Sequence, residues 1–504
     1  MRVAVVHDWL YTIGGAERVL REILRCYPSA DVFALFDFLT PADRARLGLG
    51  PVRTSFLQRM PFVQNHHRLF LPLMPIALGA PFRPLFVLGC AAAGWYAWRS
   101  DPGSHLQAAL FLFAFSPLAR RVVDLSAGYD PAGLMLVGPL LAILVPAPSL
   151  WGLLESRTNA DSRIAPNFVV AGCVAYAAAL SLFQGNLFDA ASGVLKWIAP
   201  LLYAASLALS CDRDRMVQAA TSAFLVILPV TGIIGVLQYI DPPAWDRCWM
   251  QFAPILSVGQ PLPFEVRVFS TMNGPASFAT FTATGILLVC FLRPRWYWLL
   301  CTMPAGLALL LSLYRTAWLS LAIGLIFCFL FASTRKQATV LTLGGLAAVV
   351  VAITVTPFAD VISDRLATFG AGGEDGSARE RLEQYLTLWN LPDSSLLGVG
   401  FSTSDVGSAG AMATDGTIIS AWLAMGIVIG LICVCALLWA ALKMVISSWR
   451  DGPREAVVIG AIGCGSLVQL PLANIASGEL GFLFWTFAML AAVGPSTHGS
   501  KGAP

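Results

Sequence analysis

The sequence predicts an all-α polytopic membrane protein with about 12–13 transmembrane helices, a long periplasmic loop and a small truncated α/β (βαβ) fragment at the N-terminus. Of 504 residues, 57% are hydrophobic and only 12% are charged, whereas soluble domains carry about 25% charged residues. Apolar runs of about 17–25 residues, the length that crosses a bilayer, recur after the first 77 residues. The net charge of +3 is too small to indicate a nucleic-acid partner.

Residues 1–77 lack membrane-like sequence and carry the α/β signals. The run from Val3 to Val6 is typical of a buried strand, a helical pattern opens at Gly14, and residues 31–36 read as a second strand. Strand, glycine turn, helix and strand form a βαβ unit. Such a turn places backbone amides at a helix N-terminus, where a phosphate or a sugar binds well.

This N-terminal fragment resembles the start of family 4 glycosyltransferases, which have two Rossmann domains. The resemblance rests on the segments His7-Asp8-Trp9-Leu10 and Gly14-Gly15-Ala16-Glu17-Arg18. It covers about seventy residues and leaves out the domain with which that family binds its donor nucleotide. We therefore expect no sugar-nucleotide transfer here, and the fragment reads as a remnant or a fusion that folds poorly or packs as a small appendage.

Residues 78–494 form the predicted membrane domain, which contains a periplasmic loop at 358–416 and is followed by a cytoplasmic tail at 495–504. Tyr314-Arg315-Thr316 splits one apolar stretch into a tight helical hairpin. The eleven cysteines contain no CxxC pair, so neither a zinc site nor a disulfide framework is expected. The predicted spans are 81–98, 105–119, 131–148, 166–184, 190–209, 216–239, 273–292, 296–314, 316–333, 338–357, 418–440, 456–475 and 479–494.

Charge in the short loops predicts the sidedness of the membrane domain. Counting spans puts loop 358–416, loop 240–272 and the Arg315 turn on one side. The short connections of the other side hold most of the basic residues, which marks the cytoplasm, so the long loops face the periplasm of a bacterial inner membrane. The basic residues are Arg157, Arg163, Arg213, Arg215, Arg293, Arg295, Arg335, Lys336, Arg450 and Arg454.

The same count of spans conflicts with the expected sidedness near the N-terminus. Thirteen spans would place residues 1–80 and the pair Arg120-Arg121 outside. We therefore expect that either 105–119, which is short, or 190–209, which contains Lys196, does not fully cross. Lys196 and Arg315 lie near predicted span ends, and this scarcity of mid-span charge disfavours an ion-coupled transporter.

Loop 240–272 carries Arg247 and Arg267 and leads into the span that begins near Asn273. Ser270, Thr271 or Asn273 is expected to cap that helix, whose free amides would face the periplasmic interface. An anionic lipid headgroup would bind there beside Arg267. The alternative is an ordinary helix cap with an arginine that reaches the interface.

The long loop supplies further arginines. Ser377-x-x-Glu380 is a capping-box pattern, and the amphipathic helix that follows would hold Arg379 and Arg381 near the headgroup plane. The arginine fork donates two hydrogen bonds to phosphate oxygens, which suits pyrophosphate. A solvated surface helix is the alternative. Gly398 and Gly400 would let the backbone approach a ligand closely, although a lone GxG is a weak signal.

From about residue 81 to 494 the order of these features resembles the O-antigen ligase and polymerase superfamily, membrane glycosyltransferases of the C type. The matching features are 267–275, the Tyr314-Arg315-Thr316-Ala317-Trp318 turn, Arg379/Arg381 leading to 397–400, and Asp415-Gly416 before the run 418–430. The resemblance implies that the substrate is an oligosaccharide linked to undecaprenyl pyrophosphate and that no metal or nucleotide cofactor is needed. It also implies that Arg315, Arg379 and Arg381 hold the pyrophosphate, the leaving group.

Ligases of this superfamily carry a histidine near the end of the long loop. The histidines of this chain are at 7, 66, 67, 105 and 498, and Thr414-Asp415-Gly416 stands at the corresponding place. This favours a polymerase, with Asp415 or Glu380 as general base; Asp415 serves equally well as an N-cap. An O-antigen ligase, a polysaccharide or lipid transporter and a membrane scaffold remain alternatives. Membrane lipid and other polysaccharide assembly proteins are possible partners.

Overall fold

The computed structural model describes residues 3–10, 14–54, 58, 80–150, 164–253, 256–293, 295–355, 383, 385, 386, 389, 390, 396–401, 416–451 and 453–493. The chain divides into two compact units. The smaller comprises Met1–Phe86 with Val122–Asp130, and the larger comprises Val87–Arg121 with Pro131–Pro504.

The smaller unit contains a three-stranded parallel sheet in the order β1-β2-β3, formed by Ala4–Leu10, Asp31–Asp37 and Val52–Thr54. Helix α1 (Gly15–Cys26) connects β1 and β2, as the strand, turn and helix pattern predicts. Helix α2 (Pro41–Leu47) and β3 extend the unit beyond the predicted βαβ. At the start of α1 the Glu17 carboxylate accepts the Gly14 amide at 2.8 Å, so the side chain of the helix itself occupies the anion position.

After β3 the elements of the described residues are all helices, which confirms the predicted all-α membrane architecture. The helices are α3 Phe82–Ser100, α4 Pro102–Ala127, α5 Val137–Leu144, α6 Ala165–Phe183, α7 Leu187–Ser210, α8 Arg213–Ile240, α9 Ala244–Phe252, α10 Pro275–Leu292, α11 Trp296–Leu311, α12 Arg315–Phe329, α13 Ala332–Val355, α14 Thr417–Asp451, α15 Arg454–Gln469 and α16 Gly478–Ala492. Within the described residues six of them, α4, α6, α7, α8, α10 and α14, are long and apolar enough to cross a membrane.

The two helices of which one was expected not to cross fully are both longer than their apolar runs. Helix α4 has 26 residues rather than the fifteen or so of the apolar run, and α7 has 24. Both are long and apolar enough to cross. Helix α4 continues beyond the apolar run because Arg120 and Arg121 are buried inside the bundle, where they find polar partners, instead of ending the span at its surface.

Small residues let the helices of the larger unit approach closely. Gly232 of α8 lies against the backbone of Ala305 in α11, and Gly465 of α15 lies against Ser320 of α12. A side chain at either glycine would overlap its neighbour. Such contacts are the usual means of helix packing inside a membrane, where hydrophobic burial does not drive association.

Candidate functional site

Arg267 and the Arg315 turn meet at one end of the helical bundle. The Val268 amide donates to the Leu311 carbonyl at 3.2 Å, and Arg267 Nη2 donates to the Leu313 carbonyl at 3.1 Å. Arg315 is the first residue of α12, directly after this turn. The structure therefore brings together the segments of two of the predicted arginines, although they are separated by helices α10 and α11 in the sequence.

Both segments are held in an uncommon backbone conformation. Among the described residues, the non-glycine residues with positive φ are Phe264 (66°), Ser270 (51°) and Leu313 (53°). Each belongs to the segment before α10 or to the turn before α12. A left-handed conformation costs an L-residue about 1–2 kcal/mol, and such strain concentrates at functional sites.

A buried ion pair holds the segment that leads into α10. Arg121 Nε lies 2.6 Å from Asp246 Oδ1, with the two side chains 1% and 0% exposed. The other guanidinium nitrogens of Arg121 donate to the carbonyls of Ser270 and Met272. The Arg121 guanidinium also lies over the ring of Phe269, 4.8 Å from its centroid. One arginine thus ties α4 to both α9 and the segment 269–272.

Gln238 completes this network. Its Nε2 donates to Asp246 Oδ2 at 2.7 Å, while its Oε1 accepts the amides of Phe269 and Ser270 at 3.0 and 2.8 Å. Burial raises the pKa of Asp246, and the charge of Arg121 together with the Gln238 hydrogen bond offsets part of that rise. The network fixes the backbone immediately before Asn273.

The predicted caps of α10 are wrong. The N-cap is Gly274, and no side chain caps the helix. Ser270 Oγ donates to the Thr231 carbonyl at 2.5 Å instead, because the buried network turns this residue towards α8. The Asn273 side chain is released from capping and lines a cavity.

Gly398 and Gly400 lie against protein rather than against open space. Their φ angles are +83° and +72°; a Cβ on Gly398 would overlap the backbone at Gly426, and one on Gly400 would overlap Ser181. Gly426 interrupts α14 with φ 74° and ψ 171°. The close approach that these glycines permit is therefore to α14 at Gly398 and to α6 at Gly400, which fits the segment 396–401 between α6 and the kink of α14.

The beginning of α14 is tied to the connection between α15 and α16. The Thr417 amide donates to the carbonyls of Leu470 and Ala473 at 3.0 and 3.1 Å. Thr417 Oγ1 donates to the Ala473 carbonyl at 2.7 Å and accepts the Ile475 amide at 3.1 Å. The chain that leaves the long loop is thereby fixed beside the segment that carries Asn474.

A cavity of about 250 Å³, with a lining that is more apolar than polar, opens among α4, α5, α7, α10 and α16. Among the described residues, the charged side chains of its lining are Lys196 and Glu479, and its side-chain amides are those of Asn273 and Asn474. Lys196 is the tenth residue of α7, so it lies about 14 Å along the helix at 1.5 Å per residue. The prediction that Lys196 lies near a span end is therefore wrong: α7 begins earlier than the apolar run indicated.

The remaining predicted site residues divide into two groups. Arg247 is 44% exposed and pairs with Asp241 within its own loop. Arg379, Arg381 and Asp415 lie outside the described residues. The roles assigned to all the predicted site residues stay predictions.

Sequence reasoning overlooked Arg121, Asp246 and Glu479 as members of a site. A lysine well inside an apolar helix such as α7 was the available signal for the cavity, since ionisable residues in spans mark functional positions.

The apolar helices long enough to cross a membrane indicate a multi-pass membrane protein. Residues 299–435 match the family model described as O-antigen ligase. This confirms the resemblance to the O-antigen ligase and polymerase superfamily and indicates a membrane glycosyltransferase-like function of that type. A comparison with curated proteins found no match. The likeness of the N-terminal fragment to family 4 glycosyltransferases stays a prediction.

Proposed function

We propose that the protein is a polysaccharide polymerase. It joins oligosaccharide repeat units linked to undecaprenyl pyrophosphate, for an O-antigen or an exopolysaccharide, on the periplasmic side of a bacterial inner membrane. The observation that carries the proposal is the meeting of Arg267 with the Arg315 turn, because that turn lies inside the segment matched by the O-antigen ligase model.

In this proposal Arg315, Arg379 and Arg381 hold the pyrophosphate of the donor. Arg267 stabilises the Arg315 turn through the Leu313 carbonyl. A sugar hydroxyl attacks the anomeric carbon, the bond from that carbon to the pyrophosphate oxygen breaks, and the pyrophosphate leaves with the electron pair. Positioned guanidinium groups stabilise the charge that develops on it, an effect worth about 10²–10³ in rate for one donor of this kind.

The test uses the purified full chain with an undecaprenyl-pyrophosphate-linked oligosaccharide. A ladder of product lengths supports the polymerase, and absence of any product contradicts it. Arg315→Ala is expected to reduce polymer yield at least about 100-fold. Arg335→Ala is the matched control, because Arg335 follows the other end of α12 and bonds to the Phe329 carbonyl at 3.1 Å. Equal activity of both variants would overturn the pyrophosphate assignment.

An O-antigen ligase is the second candidate, favoured by the description of the family model. A ligase transfers the glycan once to a lipid acceptor. The same assay with lipid A core added separates the two functions: a single transfer to that acceptor without a ladder replaces the polymerase by the ligase.

A further inference from the structure

The cavity among α4, α5, α7, α10 and α16 contains polar groups that have no partner among the described residues. Lys196 is exposed to it and has no ion-pair or hydrogen-bond partner among the described residues. Ser116 is 2% exposed, lines the cavity and has an Oγ without a hydrogen-bond partner in the described part of the chain. An unpaired lysine within a membrane helix and a buried unpaired hydroxyl both indicate a missing polar ligand.

Glu479 is the carboxylate of this cavity. Ser277 Oγ donates to its Oε1, and its Oε2 has no hydrogen-bond partner among the described residues. Ser277 stands in the first turn of α10, and Glu479 stands in the first turn of α16. The serine thus orients the carboxyl group of a residue that lines the cavity.

The charges and polar groups that line the cavity indicate which class of ligand it binds. Lys196 and Glu479 have opposite formal charges, and the acidic side chain already occupies the positive end of α16, which makes the cavity a poor site for a pyrophosphate. The amides of Asn273 and Asn474 and the hydroxyl of Ser116 supply donors and acceptors in several directions. The volume of about 250 Å³ lies below the roughly 300 Å³ at which pockets for drug-sized ligands begin, which suits a single sugar ring.

We propose that this cavity binds the acceptor sugar and that Glu479 is the general base of glycosyl transfer. The inference rests on the proposed function. The acceptor hydroxyl oxygen forms the bond to the anomeric carbon of the donor while the pyrophosphate leaves with the electron pair of the broken bond. The hydroxyl proton passes to Glu479 Oε2 and from there to solvent. Lys196 and Asn273 hold neighbouring hydroxyls of the same ring.

The test varies donor and acceptor separately. A benzyl glycoside of the repeat unit serves as soluble acceptor, and the undecaprenyl-pyrophosphate-linked oligosaccharide serves as donor. Glu479→Gln is expected to lower kcat by about 10²–10⁴, the usual contribution of a general base, with the KM for the donor unchanged. Lys196→Met is expected to raise the KM for the benzyl glycoside with little change in kcat.

Matched controls come from the same chain. Glu455 occupies the same second position of helix α15 that Glu479 occupies in α16, so Glu455→Gln should retain activity. Lys336→Met, on the exposed start of α13, is the corresponding control for Lys196. Chemical rescue separates a base from a structural group: added formate should restore turnover to Glu479→Ala, since the deleted side chain leaves room for a small carboxylate.

The outcomes distinguish the two proposals. No product from the wild-type protein overturns both. Product from the wild type together with unchanged kcat in Glu479→Gln, or failure of formate to rescue Glu479→Ala while that variant elutes as a folded protein, overturns the assignment of Glu479 and leaves the polymerase proposal standing. A raised KM for the donor alone in Lys196→Met overturns the acceptor subsite in favour of a pyrophosphate site.

Discussion

Replacing Arg121 by methionine tests the buried network most directly. The variant leaves the Asp246 carboxylate, which is 0% exposed, without its counter-charge, and it removes the donors to the Ser270 and Met272 carbonyls. Removal of one partner of a buried ion pair costs about 3–5 kcal/mol. We expect a loss of this size in the free energy of unfolding at pH 7.5, measured by denaturant titration of the purified protein in detergent.

The ion pair of Arg215 with Asp101 is a control, because its nitrogen–oxygen distance equals that of the buried pair. Arg215 Nη2 lies 2.6 Å from Asp101 Oδ1, but Arg215 is 65% exposed. An exposed pair contributes about 0–1 kcal/mol, so Arg215→Met should change the stability by no more than that. Equal losses in Arg215→Met and Arg121→Met would refute the reasoning, because burial is what separates the two pairs.

The loss in Arg121→Met should also depend on pH. Burial raises the folded pKa of Asp246 above its ordinary value, which is about 3.9. The stability associated with the neutral carboxyl is present below that ordinary value and is lost as the pH rises through the raised pKa. Without Arg121 the folded pKa rises further, so the deficit relative to wild type grows with pH. A deficit that shrinks as the pH rises would contradict this sign.

The double variant Arg121→Met with Asp246→Leu removes both charges together. Apolar replacement of a whole buried pair is often neutral or stabilising, so most of the stability lost in Arg121→Met should return. Glycosyl transfer should not return, because the carbonyls of Ser270 and Met272 still lack the guanidinium that fixes the backbone before Asn273. Recovery of both stability and activity would show that the network does not position this segment.

Three further variants test local geometry. Gly426→Ala should destabilise the protein by more than the about 1–2 kcal/mol of a left-handed residue, since a Cβ would overlap the Leu396 carbonyl; thermal unfolding measures it. Thr417→Val removes the acceptor of a buried amide and should cost about 1–3 kcal/mol by denaturant titration. Gly48→Ala, at φ 67° in open space, should speed proteolysis of the smaller unit, whereas Gly50→Ala should not; equal rates would contradict the strain argument.

The sequence predicts the helices well because each depends on a local property. An apolar run of sufficient length forms a helix wherever it occurs in a membrane protein, and all the predicted spans correspond to helical segments. The span predicted at 131–148 is the least regular, since a short 3-10 turn and the eight residues of α5 are followed by a turn at 145–146 before the helix resumes at 147. The split at Arg315 was also local, because a tyrosine and an arginine interrupt an otherwise continuous apolar stretch.

The site was harder to predict because its contacts are not local. Arg121 looked like the end of a span, and nothing near it in the sequence indicates that Asp246 neutralises it. Asn273 looked like a cap, but the buried network turns the preceding residues and leaves Gly274 as the N-cap. Glu479 looked like an ordinary residue at the start of a span. Its hydrogen-bond partner Ser277 belongs to a different helix, so nothing near Glu479 in the sequence indicates the contact.

The ion pair of Arg121 with Asp246 also explains how the span count can place the pair Arg120-Arg121 outside, where the positive-inside rule disfavours arginine. The positive-inside rule concerns charges that loops expose on either side of the membrane, whereas Arg121 is buried and paired with Asp246. At the opposite end of α4, Asp101 pairs with Arg215, which belongs to the arginine-rich side. In the predicted topology α4 would therefore run from that side to the side of the segment 269–272, and its buried arginines do not count against that prediction. Labelling a cysteine placed at Gln260, an exposed position of the same loop, with a membrane-impermeant maleimide in intact cells checks the assignment: modification supports a periplasmic site, and protection would reverse it.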